Sequence, residues 1–296
     1  MIAHDLKKFA WLSIAAAVVT ILLKGIAWWL TGSVGLLSDA LESFVNLAGA
    51  LMALAMLTLA EQPADDNHAY GHTKAEYFSS AFEGFLIFLA AISIAYTAVE
   101  RFIHPQELEA VGVGLIVSVL ATIINFWVAR VLLKTGIAHN SITLEADAHH
   151  LMTDVWTSVG VIAAVGLVGI SGWIWLDPLI AILVAINIVW TGWQLMQRSA
   201  SGLMDGVLDG EKLSAIRSVL QTFEAEGICF ESLKTRQAGR QSFVSLHVLV
   251  PGAWTVKVGH DWLDKIEAAI KIAVPGAQVS THLEPVDEVQ PNQSTK

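Results

Sequence analysis

Two trios of polar residues share one spacing. Asp39, Glu42 and Asn46 are set three and four residues apart, and Asp147, His150 and Asp154 repeat that interval later in the chain. At 3.6 residues per helical turn, each trio lines a single stripe. Carboxylate, amide and imidazole groups are donors for first-row divalent cations. Two such helices packed together would present Glu42, Asn46, His150 and Asp154 as four N/O ligands at the corners of a tetrahedron. Both rows lie in apolar surroundings, where each ionisable side chain costs roughly 2.5 to 3.5 kcal/mol to insert. Neutral amides could bridge helices without that cost, so two matched charged rows point to an ion pathway rather than to helix-to-helix hydrogen bonding. A second, exposed cation site is expected in the polar segment 62–76, where Asp65, Asp66, His68 and His72 crowd two carboxylates and two imidazoles into eight residues. Lys24 and Glu83 are also ionisable groups in apolar stretches. Lys24 either snorkels or pairs with a carboxylate such as Asp39, and Glu83 reads as a helix-packing residue.

The elements that must position these groups are membrane helices. A span needs about 20 apolar residues to cross ~30 Å of hydrocarbon, and six stretches qualify, near 9–31, 34–59, 77–100, 110–133, 142–169 and 174–197. The first is too long for a cleaved leader and runs at once into the second. With the N-terminus inside, Lys7, Lys8, Lys74, Arg130, Lys134 and Arg198 face the cytoplasm and Arg101 alone faces away, so both termini are expected to be cytoplasmic. Trp11, Trp28, Trp29, Trp173 and Trp175 fall near span ends as an interfacial belt. Gly25, Gly32, Gly35 and Gly49 would let helices approach closely.

After Ser199 the charge density rises. Residues 211–226 have helical apolar periodicity, 242–250 alternate as a strand, 256–274 are helical and 277–283 read as a last strand. The order helix, strand, strand, helix, strand indicates a small open-faced α+β sandwich of the ferredoxin or metallochaperone kind. The expected organisation is a six-helix transport domain over 1–200, a linker over 201–210, a metal-binding and dimerisation domain over 211–285 and a flexible tail over 286–296.

Composition agrees with a lipid environment. Of 296 residues 54% are hydrophobic and 15% charged, with mean hydropathy +0.58. A net charge of -10 removes the attraction that nucleic-acid binding requires. The single cysteine, Cys229, closes no intramolecular disulfide and forms no Cys-rich zinc site, which leaves His, Asp, Glu, Asn or backbone as metal ligands.

Taken together, the six spans, the acidic pair in span 2, the His-x-x-x-Asp of span 5, the segment 62–76 and the ligand-bearing α+β domain resemble the cation diffusion facilitators, over about residues 9–285. The segment 62–76 is very similar to that of bacterial zinc and iron exporters of this family. The resemblance implies a homodimer in a bacterial inner membrane that exports a divalent cation in exchange for protons, alternating between inward-open and outward-open states. It implies a transport site at Glu42, Asn46, His150 and Asp154. Glu42 and Asn46 depart from the family's commoner His or Asp followed by Asp, which leaves the cargo as zinc first, with iron, manganese or cobalt as alternatives. It implies a surface site at Asp66, His68 and His72. It also implies a regulatory site in the C-terminal domain at His247, His260 and His282, with Glu284 replacing the usual Asp and Glu231 standing where a His is often found. Lys74 and Asp205 resemble a charged pair that ties the two domains.

Proton coupling has a ready agent in His150, because imidazole changes charge near neutral pH and metal binding requires its neutral form. An enzyme is not expected. Gly169-Ile170-Ser171-Gly172 looks like an intramembrane serine protease motif, but the nearest His residues of that span lie at another depth, and no His-Glu-x-x-His is present. A non-transporting metal sensor or scaffold of the same fold is the remaining rival.

Overall fold

The computed structural model describes residues 6–31, 34–104, 113–173 and 175–286; at 31, 34–39, 113–115, 165, 166, 168 and 169 it describes the backbone alone. The chain divides into two compact units, residues 1–200 and 201–296. In the first, six long helices follow one another: α1 (Lys7–Thr31), α2 (Val34–Ala60), α3 (Ala75–Ile103), α4 (Val113–His139), α5 (Ile142–Ser171) and α6 (Leu176–Leu203). Among the described residues, five of them are long and apolar enough to cross a membrane. At ~1.5 Å per residue the 30 residues of α5 reach about 45 Å, and its first half carries Glu145, Asp147 and Asp154. The chain is a multi-pass membrane protein with a C-terminal α+β unit.

The membrane helices are apolar nearly all round, as expected for helices with lipid on one side and other helices on the other. α5 is the central element. Leu144, Ala148 and Leu151 pack with Leu57 of α2 and Val128, Ala129 and Leu132 of α4. Ala146 packs with Ile87 and Ala91 of α3 and Ile188 and Leu195 of α6. Two residues connect α4 to α5. Asn140 takes the left-handed φ of 52°, and Ser141 N–H closes the turn on Gly136 O at 2.9 Å. α3 and α6 cross closely: a Cβ on Gly84 would meet Gly192 O at 3.3 Å, and one on Gly192 would meet Gly84 O at 3.3 Å.

Among the glycines expected at close approaches, Gly49 is one, whereas a Cβ on Gly25 would meet nothing within 4 Å. Gly32 and the side-chain position of Gly35 lie outside the described residues. All five tryptophans of the expected belt are exposed, and Trp173 stacks on Trp175. Three ion pairs tie helix ends: Lys7–Glu61 and Glu145–Arg198, both at 2.9 Å, and Arg101–Asp177 at 3.1 Å.

The second unit contains α7 (Gly210–Glu224), β1 (Cys229–Ala238), β2 (Gln241–Val250), α8 (Val256–Ala273) and β3 (Gln278–Pro285). The sheet order is β1-β2-β3, antiparallel between β1 and β2 and parallel between β2 and β3, so α8 is the crossover that a parallel pair needs. Val244, Leu246, Val248 and Val250 turn one face of β2 toward Ile216 and Leu220 of α7 and Leu263, Ile266 and Ile270 of α8. Period-two alternation puts Ser245 and His247 on the other face. Asp209 and Thr255 cap α7 and α8 by accepting the backbone N–H groups of Lys212 and Val258. Residues 201–203, expected in the linker, are the last turn of α6. Of the expected tail, residues 287–296 lie outside the described residues.

Candidate functional site

α2 and α5 bring Asn46, His150 and Asp154 together. Asn46 Nδ2 donates to Asp154 Oδ2 in a short hydrogen bond, and the same carboxylate oxygen accepts from Asn125 Nδ2 of α4 at 3.3 Å. Donation to Asp154 fixes the orientation of the Asn46 amide, so its Oδ1, 2.8 Å from His150 Nε2, is the acceptor. That nitrogen, the Asn46 oxygen and the Asp154 carboxylate are three donors of the kind a divalent cation takes, gathered at one place. Asn46 and His150 are buried and Asp154 half-buried. Glu42, one turn earlier on α2, has an exposed side chain. The side chain of Asp39 lies outside the described residues, and Lys24 is half-buried.

The first stripe residue of α5, Asp147, is buried and accepts from Ser13 Oγ of α1 at 3.0 Å. Glu83 of α3 is fully buried, with Oε2 3.0 Å from His150 Nδ1. Sequence reasoning took Glu83 as a packing residue and passed over Asn125 and Ser13. The available signal was weak: at three or four residues from Glu83 and Asn125 stand only the hydroxyls Ser79, Ser80 and Thr122, and Ser13 has no polar residue at that spacing.

In the segment between α2 and α3, the carboxylate that joins the two imidazoles is Asp65. Asp65 Oδ1 accepts the backbone N–H groups of Asn67 at 2.9 Å and His68 at 2.7 Å, an Asx-turn that holds it over His68. His68 Nδ1 lies 3.2 Å from Asp65 Oδ1, and His72 Nε2 lies 3.1 Å from His68 Nδ1 and 3.5 Å from Asp65 Oδ2. One donor from each of the three falls within 4.8 Å of the others, close enough to hold a metal ion. Asp66, expected in this group, is exposed and outside it among the described residues. The Asx-turn selects the neighbouring carboxylate, a choice that spacing alone cannot make. The backbone N–H of His68 holds the Asp65 carboxyl below the ordinary carboxylate range.

In the C-terminal unit, strand register puts Glu231, His247 and His282 at adjacent positions across β1, β2 and β3. His247 Nδ1 lies 2.9 Å and His282 Nε2 3.5 Å from Glu284 Oε1, and the two imidazole rings are 5.3 Å apart. His260 is elsewhere, on an exposed position of α8. Asp205, at φ 59°, pairs with Arg236 at 3.0 Å inside this unit. Lys74 directly precedes α3, shortly after the Asp65 group.

Among the described residues, Ser171 of the serine motif is held by its own helix end. Ser171 Oγ donates to Leu167 O at 2.6 Å and accepts from Trp173 N–H at 3.2 Å, so it finishes α5.

Comparison with known proteins agrees in both units. Residues 10–204 match the cation efflux transmembrane domain, and residues 208–286 match the cation efflux protein cytoplasmic domain. The uncharacterized transporter sll1263 of Synechocystis sp. is 52% identical over 288 residues, covering 97% of this chain and 93% of that one. The cation-efflux pump FieF of Escherichia coli is 30% identical over 282 residues, covering 93% and 91%. The FieF of Shewanella oneidensis is 29% identical, covering 94% and 93%. A solved zinc form of CzrB is 35% identical and covers 28% of this chain and 96% of that one, with a TM-score of 0.27. The chain belongs to the cation diffusion facilitator family.

Proposed function

We propose that this protein exports a divalent cation from the cytoplasm in exchange for protons, through a transport site built on Asn46, His150 and Asp154 with Glu42 beside them. The observation that carries this reading is the hydrogen bond from His150 Nε2 to Asn46 Oδ1. The nitrogen that would ligate a cation is the one that holds a proton in its absence, so cation and proton compete for a single atom. That competition is the coupling of an antiporter. The exposed Glu42 marks the side from which water and cation enter, because a carboxylate turned to hydrocarbon would be costly.

α5 is the sixth span in this reading. Its length suffices, and Asp147, His150 and Asp154 find protein partners on α1, α2, α3 and α4. The Lys and Arg asymmetry supports cytoplasmic termini, with the Lys7–Glu61 and Glu145–Arg198 pairs at the inner end and Arg101–Asp177 at the outer. The proposed location is the inner membrane of a bacterium, and the proposed assembly is the family's homodimer. Zinc is the proposed cargo, on the mixed imidazole and oxygen donors; iron, manganese and cobalt are the alternatives.

Two further groups serve regulation or loading: Asp65, His68 and His72 at the membrane surface, and Glu231, His247, His282 and Glu284 on the sheet. The donors of the sheet group suit a divalent cation held as a regulatory ligand, with His260 apart from it.

The test is zinc-driven proton flux in proteoliposomes with an imposed pH gradient. Wild type is expected to move protons on zinc addition and His150→Ala to lose that flux; full flux in His150→Ala would reject the assignment. Calorimetry with zinc, iron, manganese and cobalt on the same preparation ranks the cargo.

A further inference from the structure

We infer that Glu83 is a positioning residue for the cation site: it holds His150 through Nδ1 so that Nε2 is the nitrogen turned toward the cation, and Gly49 makes the space that lets it do so. This rests on the transport-site reading above, and it adds a third helix, α3, to a site drawn from α2 and α5.

The two nitrogens of His150 have different surroundings. Nε2 faces Asn46 Oδ1 at 2.8 Å, on the side of Asp154, whereas Nδ1 faces Glu83 Oε2 at 3.0 Å. A cation shared by Asn46, Asp154 and His150 meets Nε2, and the width of the ring then separates it from Glu83. Glu83 is thus placed to orient a ligand and not to be one. A carboxylate that accepts N–H from the far side of a ligating imidazole fixes its tautomer and its plane and raises its basicity. Among the described residues, His150 Nδ1 and both Glu83 oxygens make no hydrogen bond, and the 3.0 Å ion pair is the polar contact they have. Each is therefore the other's polar contact in a place without solvent.

Gly49 supplies the second, independent observation. A Cβ built there collides with the Glu83 carboxylate, both with Oε1 and with Cδ. α2 thus carries, three residues beyond the ligand Asn46, a missing side chain whose volume the carboxylate of α3 fills. A residue that only packed helices would need no such cradle, and a buried unpartnered carboxylate is an expensive filler. Asp147, the remaining buried carboxylate nearby, is engaged by Ser13, which leaves Glu83 as the one at the ring.

The experiment uses the full-length protein in lipid nanodiscs, with zinc calorimetry and the 15N imidazole signals of His150, and in proteoliposomes for uptake. Glu83→Gln is expected to weaken zinc binding 10- to 100-fold, the usual effect of removing such a partner, and to move the Nδ1 signal of His150 in the zinc-loaded protein. Gly49→Ala is expected to act in the same direction by displacing the carboxylate. Combined with Glu83→Ala, which empties the space, Gly49→Ala should add no further loss. Zinc affinity within twofold of wild type for Glu83→Gln, with unmoved His150 signals, would overturn the inference, as would fully additive losses in the Gly49/Glu83 pair. Zinc that binds and weakens as expected, yet is never carried into vesicles, would uphold the role of Glu83 and refute transport.

Discussion

The proposed transport-site row and the loop group use the same donor types in opposite environments. Asn46 and His150 are buried within a helix bundle, and each donor is held by a partner on another helix: Asp154 by Asn125, His150 by Glu83. Asp65 and His68 stand exposed, ordered by hydrogen bonds inside one turn. In the first region a lost partner leaves a buried polar group unpaired, which is costly; in the second, water replaces it. Burial, more than ligand identity, decides which group the protein depends on.

Substitutions that respect this contrast should fall into an ordered series. Asp154→Ala removes a donor and strands both Asn46 and Asn125 amides. Zinc uptake into proteoliposomes is expected to fall more than 100-fold; a loss under tenfold would erase the distinction between the regions. Gly192→Val pushes a branched side chain into the α3–α6 crossing, against Ile87 and the Gly84 carbonyl. Overpacking of this sort costs about 1 to 3 kcal/mol, read as a lowered Tm in detergent. His72→Ala in the exposed group should leave the maximal uptake rate in place and raise the half-saturating zinc concentration only a few-fold. An effect as large as that of Asp154→Ala would mean that the loop, too, is an obligatory station.

The smallest effect concerns the C-terminal unit. Asp209 caps α7, and the backbone N–H of Lys212 holds its carboxyl below the ordinary 3.8. A lowered native value means that the cap stabilises the fold at neutral pH and loses its contribution as pH falls through that value. Asp209→Ala should cost about 1 kcal/mol at pH 7 and close to nothing once the wild-type carboxyl is protonated. Melting curves at the two pH values check the sign.

Much of the architecture was legible because its signals are local. A run of apolar residues reports a span, and three-and-four spacing reports a stripe, whatever the neighbouring helices do. Alternation along 242–250 likewise marked the strand that carries His247. The span ends were less legible: α6 runs to Leu203, beyond the expected 197, since apolarity ends before helical hydrogen bonding does. At the sites, adjacency defeated spacing. Asp65 and Asp66 are equivalent as ligands in a string of letters, and only the Asx-turn separates them. Glu83 and Asn125 have only hydroxyl residues at three-or-four spacing on their own helices, so no row of strong donors announced that they would meet His150 and Asp154.

The amino-acid sequence alone determined the solvent, the helices, the donor-bearing stripes and the alternation of the C-terminal strands, because these depend on composition and on the fixed periods of helix and strand. Tertiary structure decided which stripe residue meets which partner: Asn46 between His150 and Asp154, Glu83 behind the ring, Asp147 on Ser13. Those meetings depend on how closely helices approach, and a position such as Gly49 sets that distance without displaying any chemistry of its own.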